Sequence, residues 1–306
     1  MTNNRPQETR LSNTSAADTA ATQQPHIYSH LHMAALLLGG TALFSKLISL
    51  SAIDIIAYRT LICGLLVLAI AAALKHPLII SNRKHLGLLI ICSLLFTVHW
   101  AAYFHAMQIS TVAVGIVSMF TFPVITVLIE PIISKTKLSL MDVLMGACVL
   151  VGVLLIVPEF DLSNSITEGV CFGVISAFAV AIRNILVSKH LSSYSPFTIM
   201  SYHALISFAV LIPISQVSIN DITLNEWGLL ILLGSVFTAI PHTQKIYGLL
   251  HASAKSVSMI VSLQVVYASL FAYLLLNETV SIETVIGGAF ILGAALFESV
   301  AQHRNA

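Results

Sequence analysis

Charged and polar side chains stand inside stretches that are otherwise almost wholly apolar, and their spacing is what could do chemistry. Arg59 follows Tyr58 in one such stretch, and Lys46 closes the stretch before it. Both could offer positive charge to a carboxylate or a phosphate. His99 and Tyr103 are four residues apart, hence on one helix face, and Trp100 and His105 point elsewhere. A histidine facing Arg59 could carry a coupling proton, since its ordinary pKa is about 6.5. Pro123 follows Thr121 in the next stretch and would free a backbone carbonyl and kink a helix there. His242 and Lys245, and again Gln264 and Tyr267, have the i, i+3 spacing that puts two side chains on neighbouring positions of one face.

Each of these residues has a plainer assignment. Arg59 or Lys46 could pair with Asp54 or extend to the interface, His99 could hydrogen-bond a neighbouring helix, and Lys245 could reach toward water. Glu130 and Arg183 lie toward the same side, and a structural ion pair between them is favoured over proton carriage by Glu130. What makes the charged residues informative is depth: an Arg, Lys or Asp at a helix centre costs about 2.5–3.5 kcal/mol on insertion scales, so it faces a cavity or a partner.

The elements that must hold them are long and apolar. The chain has 306 residues, 57% hydrophobic and 9% charged, with mean hydropathy +0.93. Soluble domains carry about 25% charged residues, so a water-facing globular enzyme is excluded. Ten apolar stretches of about 18–25 residues can each cross a bilayer as a helix. They run Leu31–Leu50, Ile53–Leu74, Leu86–Gln108, Val112–Ile133, Leu140–Val157, Gly169–Ser188, Phe197–Val217, Trp227–His251, Val257–Leu276 and Ile282–Val300. The preceding tail, residues 1–26, is polar and is expected to be disordered and cytoplasmic.

Basic residues alternate between the connections. Arg5, Arg10, Lys75, Arg83, Lys84, Lys135, Lys137, Lys189, Lys255 and Arg304 fall on one side, whereas Glu159, Asp161, Glu168, Asp221, Glu226, Glu278 and Glu283 fall on the other. Basic segments resist translocation, so the basic side is cytoplasmic and both termini lie inside. An even number of crossings satisfies this.

The two halves, 27–157 and 158–306, look alike. Gly146 and Gly152 near the end of the first match Gly287 and Gly293 near the end of the second, and Ala106-Met107 matches Gly248-Leu249. Five crossings per half would start the second unit from the opposite side, giving inverted repeats and a site near the midplane. The small residues let backbones approach closely, and a homodimer seam is a second use for them.

From Gly40 to Lys46, through Tyr58-Arg59, Ala106-Met107 and Pro123-Val124, to Leu263-Gln264-Val265-Val266, Asn277-Glu278 and Gly287/Gly293, the chain resembles the drug/metabolite transporter superfamily, EamA type. Val265 stands where that family usually has proline and Asn277 where it usually has glycine. The resemblance implies an all-α membrane protein of ten helices in two inverted five-helix repeats. It also implies a secondary transporter, often an exporter of amino acids or related small metabolites. Helices one to four and six to nine would line the path, with five and ten peripheral.

The expected partners are therefore a small-molecule substrate, the lipid bilayer and coupled protons, with no nucleic acid. The location would be a plasma membrane, the inner one if the source is bacterial. No cofactor or metal is expected, because no Walker loop, HExxH, G-x-S-x-G or Cys/His ligand spacing occurs. A membrane-embedded enzyme would need clustered carboxylates or ligands. A scaffold or sensor would need a larger partner-binding segment. A channel would differ from a carrier in showing no counterflow.

Overall fold

The computed structural model describes residues 29–134, 137–157, 161–251, 257 and 260–304, and among these every regular element is helical. The expected tail and the charged positions Arg5, Arg10, Lys135, Glu159 and Lys255 lie outside the described residues. The first apolar stretch is α1 over 29–41, followed after a two-residue break by α2 (Phe44–Leu47). Then come α3 (Ala52–Ala73), α4 (Arg83–Ile109), α5 (Val112–Met119), α6 (Phe122–Ser134) and α7 (Leu140–Ile156). The second half holds α8 (Ser165–His190), α9 (Pro196–Leu211), α10 (Leu224–Gly234), α11 (Ile240–His251), α12 (Leu263–Leu276) and α13 (Ile282–Arg304).

Six helical segments among the described residues are long and apolar enough to cross a membrane: Ala52–Ala73, Arg83–Ile109, Val112–Ile133, Ser165–His190, Pro196–Ile214 and Leu224–His251. Val143–Ile156, Leu263–Leu276 and Ile282–Ala294 are shorter apolar helices. The fold is that of an integral membrane protein.

Polar side chains mark where the helices begin. Ser51 accepts from Asp54 N, Asn82 from Lys84 N, Thr111 from Val114 N and Asn164 from Ile166 N. Thr223 and Glu226 form a reciprocal capping box on α10. These contacts satisfy amide donors that a helix start leaves free. Asn277 ends α12 with φ 54°, the left-handed conformation that glycine adopts at no cost and asparagine tolerates. Its neighbour Glu278 then reaches into the first half and accepts from Val112 N at 3.0 Å, at the start of α5.

The halves interlock. α3 packs on α9, α4 on α8 and α9, and α7 on α13. Tyr58, near the start of α3, donates to Val217 O beyond the end of α9 at 2.7 Å. Tyr202, near the start of α9, donates to Leu78 O beyond the end of α3 at 3.2 Å. Thr198 adds a bond to Pro77 O at 3.0 Å. The corresponding helices α3 and α9 thus run antiparallel, each end tied to the other half. At the periphery a Cβ on Gly152 would lie 2.8 Å from Gly287 O, and a Cβ on Gly287 would lie 2.5 Å from Gly152 O. Only glycine permits this crossing of α7 and α13.

Three interruptions shape the interior. α5 and α6 are separated at Phe120–Thr121, directly before Pro123, and Thr121 Oγ1 donates back to Ser118 O at 2.9 Å. Pro123 is the second residue of α6, just past this break, where a prolyl nitrogen that cannot donate is tolerated. α12 begins after a turn at Ser262, and Ser235–Ala239 is a π-helical turn between α10 and α11.

Candidate substrate site

The interruptions surround a central cavity of about 30 Å³, space for roughly two waters. Arg59 from α3 enters it, with Trp100, Tyr103 and Phe104 from α4 and His242 and Lys245 from α11. Met119 and Phe122 come from the two sides of the α5–α6 break, Gln264 from the first turn of α12, and Leu38 and Thr41 from α1.

Arg59 is fully buried, and its Nε, Nη1 and Nη2 have no hydrogen-bond partner. Its guanidinium carbon sits 4.6 Å from the Trp100 ring centroid and 4.7 Å from that of Phe104. Ring faces offset part of the cost of burying the charge, about 2 kcal/mol for a desolvated pair. They accept none of the guanidinium hydrogens in the plane where a carboxylate would. Lys245 is also buried, with its ammonium 5.4 Å from the centre of the Phe122 ring. Three further polar atoms here are buried without partners: Trp100 Nε1, Tyr103 Oη and Gln264 Oε1.

Of the positions singled out from sequence, Arg59, His99, Tyr103, His242, Lys245 and Gln264 are brought together around this cavity. His99 is anchored as well: its Nδ1 meets Ser176 Oγ on α8 at 2.7 Å, and its ring stacks with Phe96 and Tyr103. Pro123 is buried beside Phe122 but does not itself line the cavity.

The structure departs from expectation at several other positions. Lys46 is exposed and donates to Gln108 O at 3.2 Å and Ser110 O at 2.9 Å, so it caps the C-terminal end of α4 and does not line the cavity. Tyr267 packs against α1, where a Cβ on Gly39 would lie 2.6 Å from Tyr267 Cβ. Glu130 pairs with Lys189 at 3.4 Å, not with Arg183. Trp100 faces the cavity, because the wall curves round a broad face of α4, and His105 points away to meet Phe172. Asp54 is taken by Ser51, Ser215 Oγ and Gln216 N, so it pairs with neither Arg59 nor Lys46.

A second buried guanidinium lies behind the cavity wall. Arg183 on α8 donates from Nε to His203 Nε2 at 3.3 Å and from Nη1 to Asn184 Oδ1 at 2.9 Å. Its guanidinium is 4.4 Å from the Phe96 ring. His203 Nδ1 meets Ser93 Oγ at 2.9 Å, and Thr97 meets Ser207 at 2.7 Å, so α4, α8 and α9 are stitched together. Sequence reading passed over His203, although a signal exists. Tyr202-His203 follows the N-cap Ser195 at the same spacing as Tyr58-Arg59 follows the N-cap Ser51. His203 is the second half's counterpart of Arg59.

Two halves of interlocked helices around a buried cationic cavity define a helical membrane protein. The sequence pattern of the EamA-like transporter family matches residues 28–157 and again residues 167–299. The chain belongs to that family, and its function is membrane transport of small molecules. Two uncharacterized transporters of Archaeoglobus fulgidus are similar to it. One is 25% identical over 196 residues, covering 64% of this chain and 70% of the relative. The other is 29% identical over 161 residues, covering 50% and 55%. A crystal structure of a protein 16% identical in sequence superposes with a TM-score of 0.67 over 90% of this chain and 98% of that one, a likeness of fold alone.

Proposed function

We infer that this chain is a secondary active carrier that moves a small polar metabolite with an anionic group across the membrane by alternating access. The observation that carries this is Arg59, a fully buried guanidinium at a central cavity with none of its nitrogens hydrogen-bonded. A charge held so deep without a partner is costly unless a ligand meets it. The cavity is far smaller than a metabolite, so a substrate would enter only as the halves move apart.

The membrane arrangement proposed with it has ten crossings in two inverted five-helix repeats, both termini cytoplasmic, in a plasma membrane. The alternation of basic and acidic connections supports this orientation. The antiparallel pairing of α3 and α9 supports the inversion. His99 remains a candidate for a coupling proton beside the substrate, although its Nδ1 is engaged by Ser176. The family resemblance favours export of amino acids or related compounds.

Purified protein in liposomes should exchange labelled for unlabelled anionic metabolite, with saturation and counterflow. Arg59→Gln should abolish exchange while leaving the yield of folded protein intact. Unaltered rates in that variant would remove Arg59 from the path, and linear uptake without counterflow would make the protein a channel. Cysteine labelling at Lys75 and at Asp221, in a background without native cysteines, should find opposite faces of the membrane. Finding both on one face would end the inverted topology.

A further inference from the structure

Charge at the cavity is unbalanced in a way that bears on the substrate. Arg59 and Lys245 both line it, and among the described residues no carboxylate does. The carboxylates of the described helices nearby are engaged elsewhere: Asp54 by Ser51, Ser215 and Gln216, Glu130 by Lys189, and Glu278 by Val112 N. Lys46, the other cation expected at the site, caps α4. The remaining unpartnered groups are mostly donors: Trp100 offers an N–H and Tyr103 an O–H, against the single free acceptor Gln264 Oε1.

We propose that the substrate is a small organic dianion without an ammonium group, one negative group held by Arg59 and the other by Lys245. The proposal rests on the carrier function above and sets aside its amino-acid class. A zwitterion would satisfy Arg59 with its carboxylate but bring an ammonium toward Lys245, leaving two net positive charges in a low-dielectric site. A dianion neutralises both cations, and its oxygens accept from Trp100 and Tyr103. The second anionic group is a carboxylate or a phosphoryl group; both present several acceptors to an ammonium.

A set of compounds on one four-carbon skeleton separates the charge classes: succinate, butyrate, aspartate and 4-aminobutyrate. 3-Phosphonopropionate, with a carboxylate and a phosphonate on one chain, represents the phosphoryl arm, and inorganic phosphate is the control. Thermal protection of the purified full chain in detergent and counterflow in liposomes are measured for each. Succinate or 3-phosphonopropionate should protect most and exchange fastest, and which of the two prevails identifies the second group. Butyrate and aspartate should be weaker and 4-aminobutyrate inert. In Lys245→Gln the dianion should lose roughly 30-fold or more in apparent affinity while butyrate changes little. Arg59→Gln should lose both.

Exchange of 4-aminobutyrate or aspartate at least as fast as the dianions would overturn the proposal and leave the carrier standing. Equal protection by inorganic phosphate and the organic dianions would also overturn it, since the cavity would then hold any anion. No exchange by any compound of the set would count against the carrier itself. If Lys245→Gln folds poorly, Lys245→Arg keeps the test open: it should retain the dianion preference, and loss of preference there would remove Lys245 from the site.

Discussion

Arg59 and Arg183 are both fully buried guanidiniums stacked on aromatic rings of α4, yet one is bare and the other is bonded. Arg183 spends its Nε and Nη1 on His203 and Asn184, and leaves only Nη2 without a partner. Arg59 leaves all three nitrogens free. Burial and ring contact are nearly the same, 4.4 Å to Phe96 for Arg183 against 4.6 Å to Trp100 for Arg59. The difference lies in what the second half provides. His203 stands where the first half has Arg59, and it turns toward Arg183 to close a network with Ser93. Among the described residues of the first half no such network meets Arg59, and the cavity takes its place. Satisfied polar networks make a helix bundle rigid, whereas an unsatisfied one is held open for a ligand. On the carrier reading proposed above, one side of the core serves as frame and the other as site.

That contrast is most sharply broken by exchanging what each cation loses. Arg59→Gln should lower transport by roughly 100-fold or more, because the anion loses its bidentate partner in a desolvated site. Melting in detergent should move little or rise, since the variant removes a buried charge that had no partner. A large fall in melting temperature with transport retained per folded molecule would make Arg59 a frame residue like Arg183.

His203→Ala is the reciprocal test. It leaves Arg183 Nε without its acceptor and removes one partner of Ser93 Oγ, so stability should fall by about 2 kcal/mol. The transport rate per folded molecule should stay within about threefold, given that the cavity lining is untouched. Urea or thermal unfolding of the purified protein, followed by reconstitution of the folded fraction, checks both. Collapse of transport with normal stability would place His203 on the substrate path.

Much of this arrangement was open to reading from the sequence, and the failures have physical reasons. The apolar stretches became helices close to their expected bounds, because length and hydropathy alone decide that. Arg59, His99, Tyr103, His242, Lys245 and Gln264 stand together at one cavity, and their depth in apolar stretches is the sequence signal that singles them out. Lys46 meets the carbonyls of Gln108 and Ser110 at another helix's end, a contact that no local spacing reveals. Glu130 was given Arg183 on grounds of shared side, but Lys189 is nearer the helix end and reaches it. Tyr267 shares Gln264's face by spacing, yet the close approach of Gly39 draws it against α1. Asn277 shows the opposite case. Its departure from a usual glycine is explained by φ 54°, a conformation both residues accept.

Helix packing next to Arg59 gives a third, smaller contrast. Gly234 ends α10 where a Cβ would lie 2.8 Å from Arg59 O and 2.9 Å from Ile62 Cβ. Gly228, on the same helix, has nothing within 4 Å of the equivalent point. Gly234→Ala should push α10 off α3 at the site, with overpacking costs of about 1–3 kcal/mol and a transport rate about tenfold lower. Gly228→Ala should be neutral or stabilise by up to about 1 kcal/mol through helix propensity. Equal behaviour of the two variants in rate and melting would show that the close approach of α10 to Arg59 is incidental.

The smallest expected effect tests whether the two ends of the α3–α9 pair act as opposed gates. Tyr58 ties the start of α3 to Val217 O, and Tyr202 ties the start of α9 to Leu78 O. Each bond crosses between halves at an opposite end of the pair, and each must break for its end to open. Removing one hydroxyl forfeits about 1 kcal/mol, which shifts a two-state population about fivefold. Tyr58→Phe should therefore bias the protein toward opening at the Val217 end, and Tyr202→Phe toward opening at the Leu78 end. Labelling of single cysteines introduced beside the cavity, with a membrane-impermeant reagent added from each side, reads the bias directly. The two variants should move it in opposite directions, and the double variant should return it near the starting point while exchange runs faster than in the parent. Shifts in the same direction would mean that the two tyrosines merely brace one rigid interface, and the halves would then have to part somewhere other than α3 and α9.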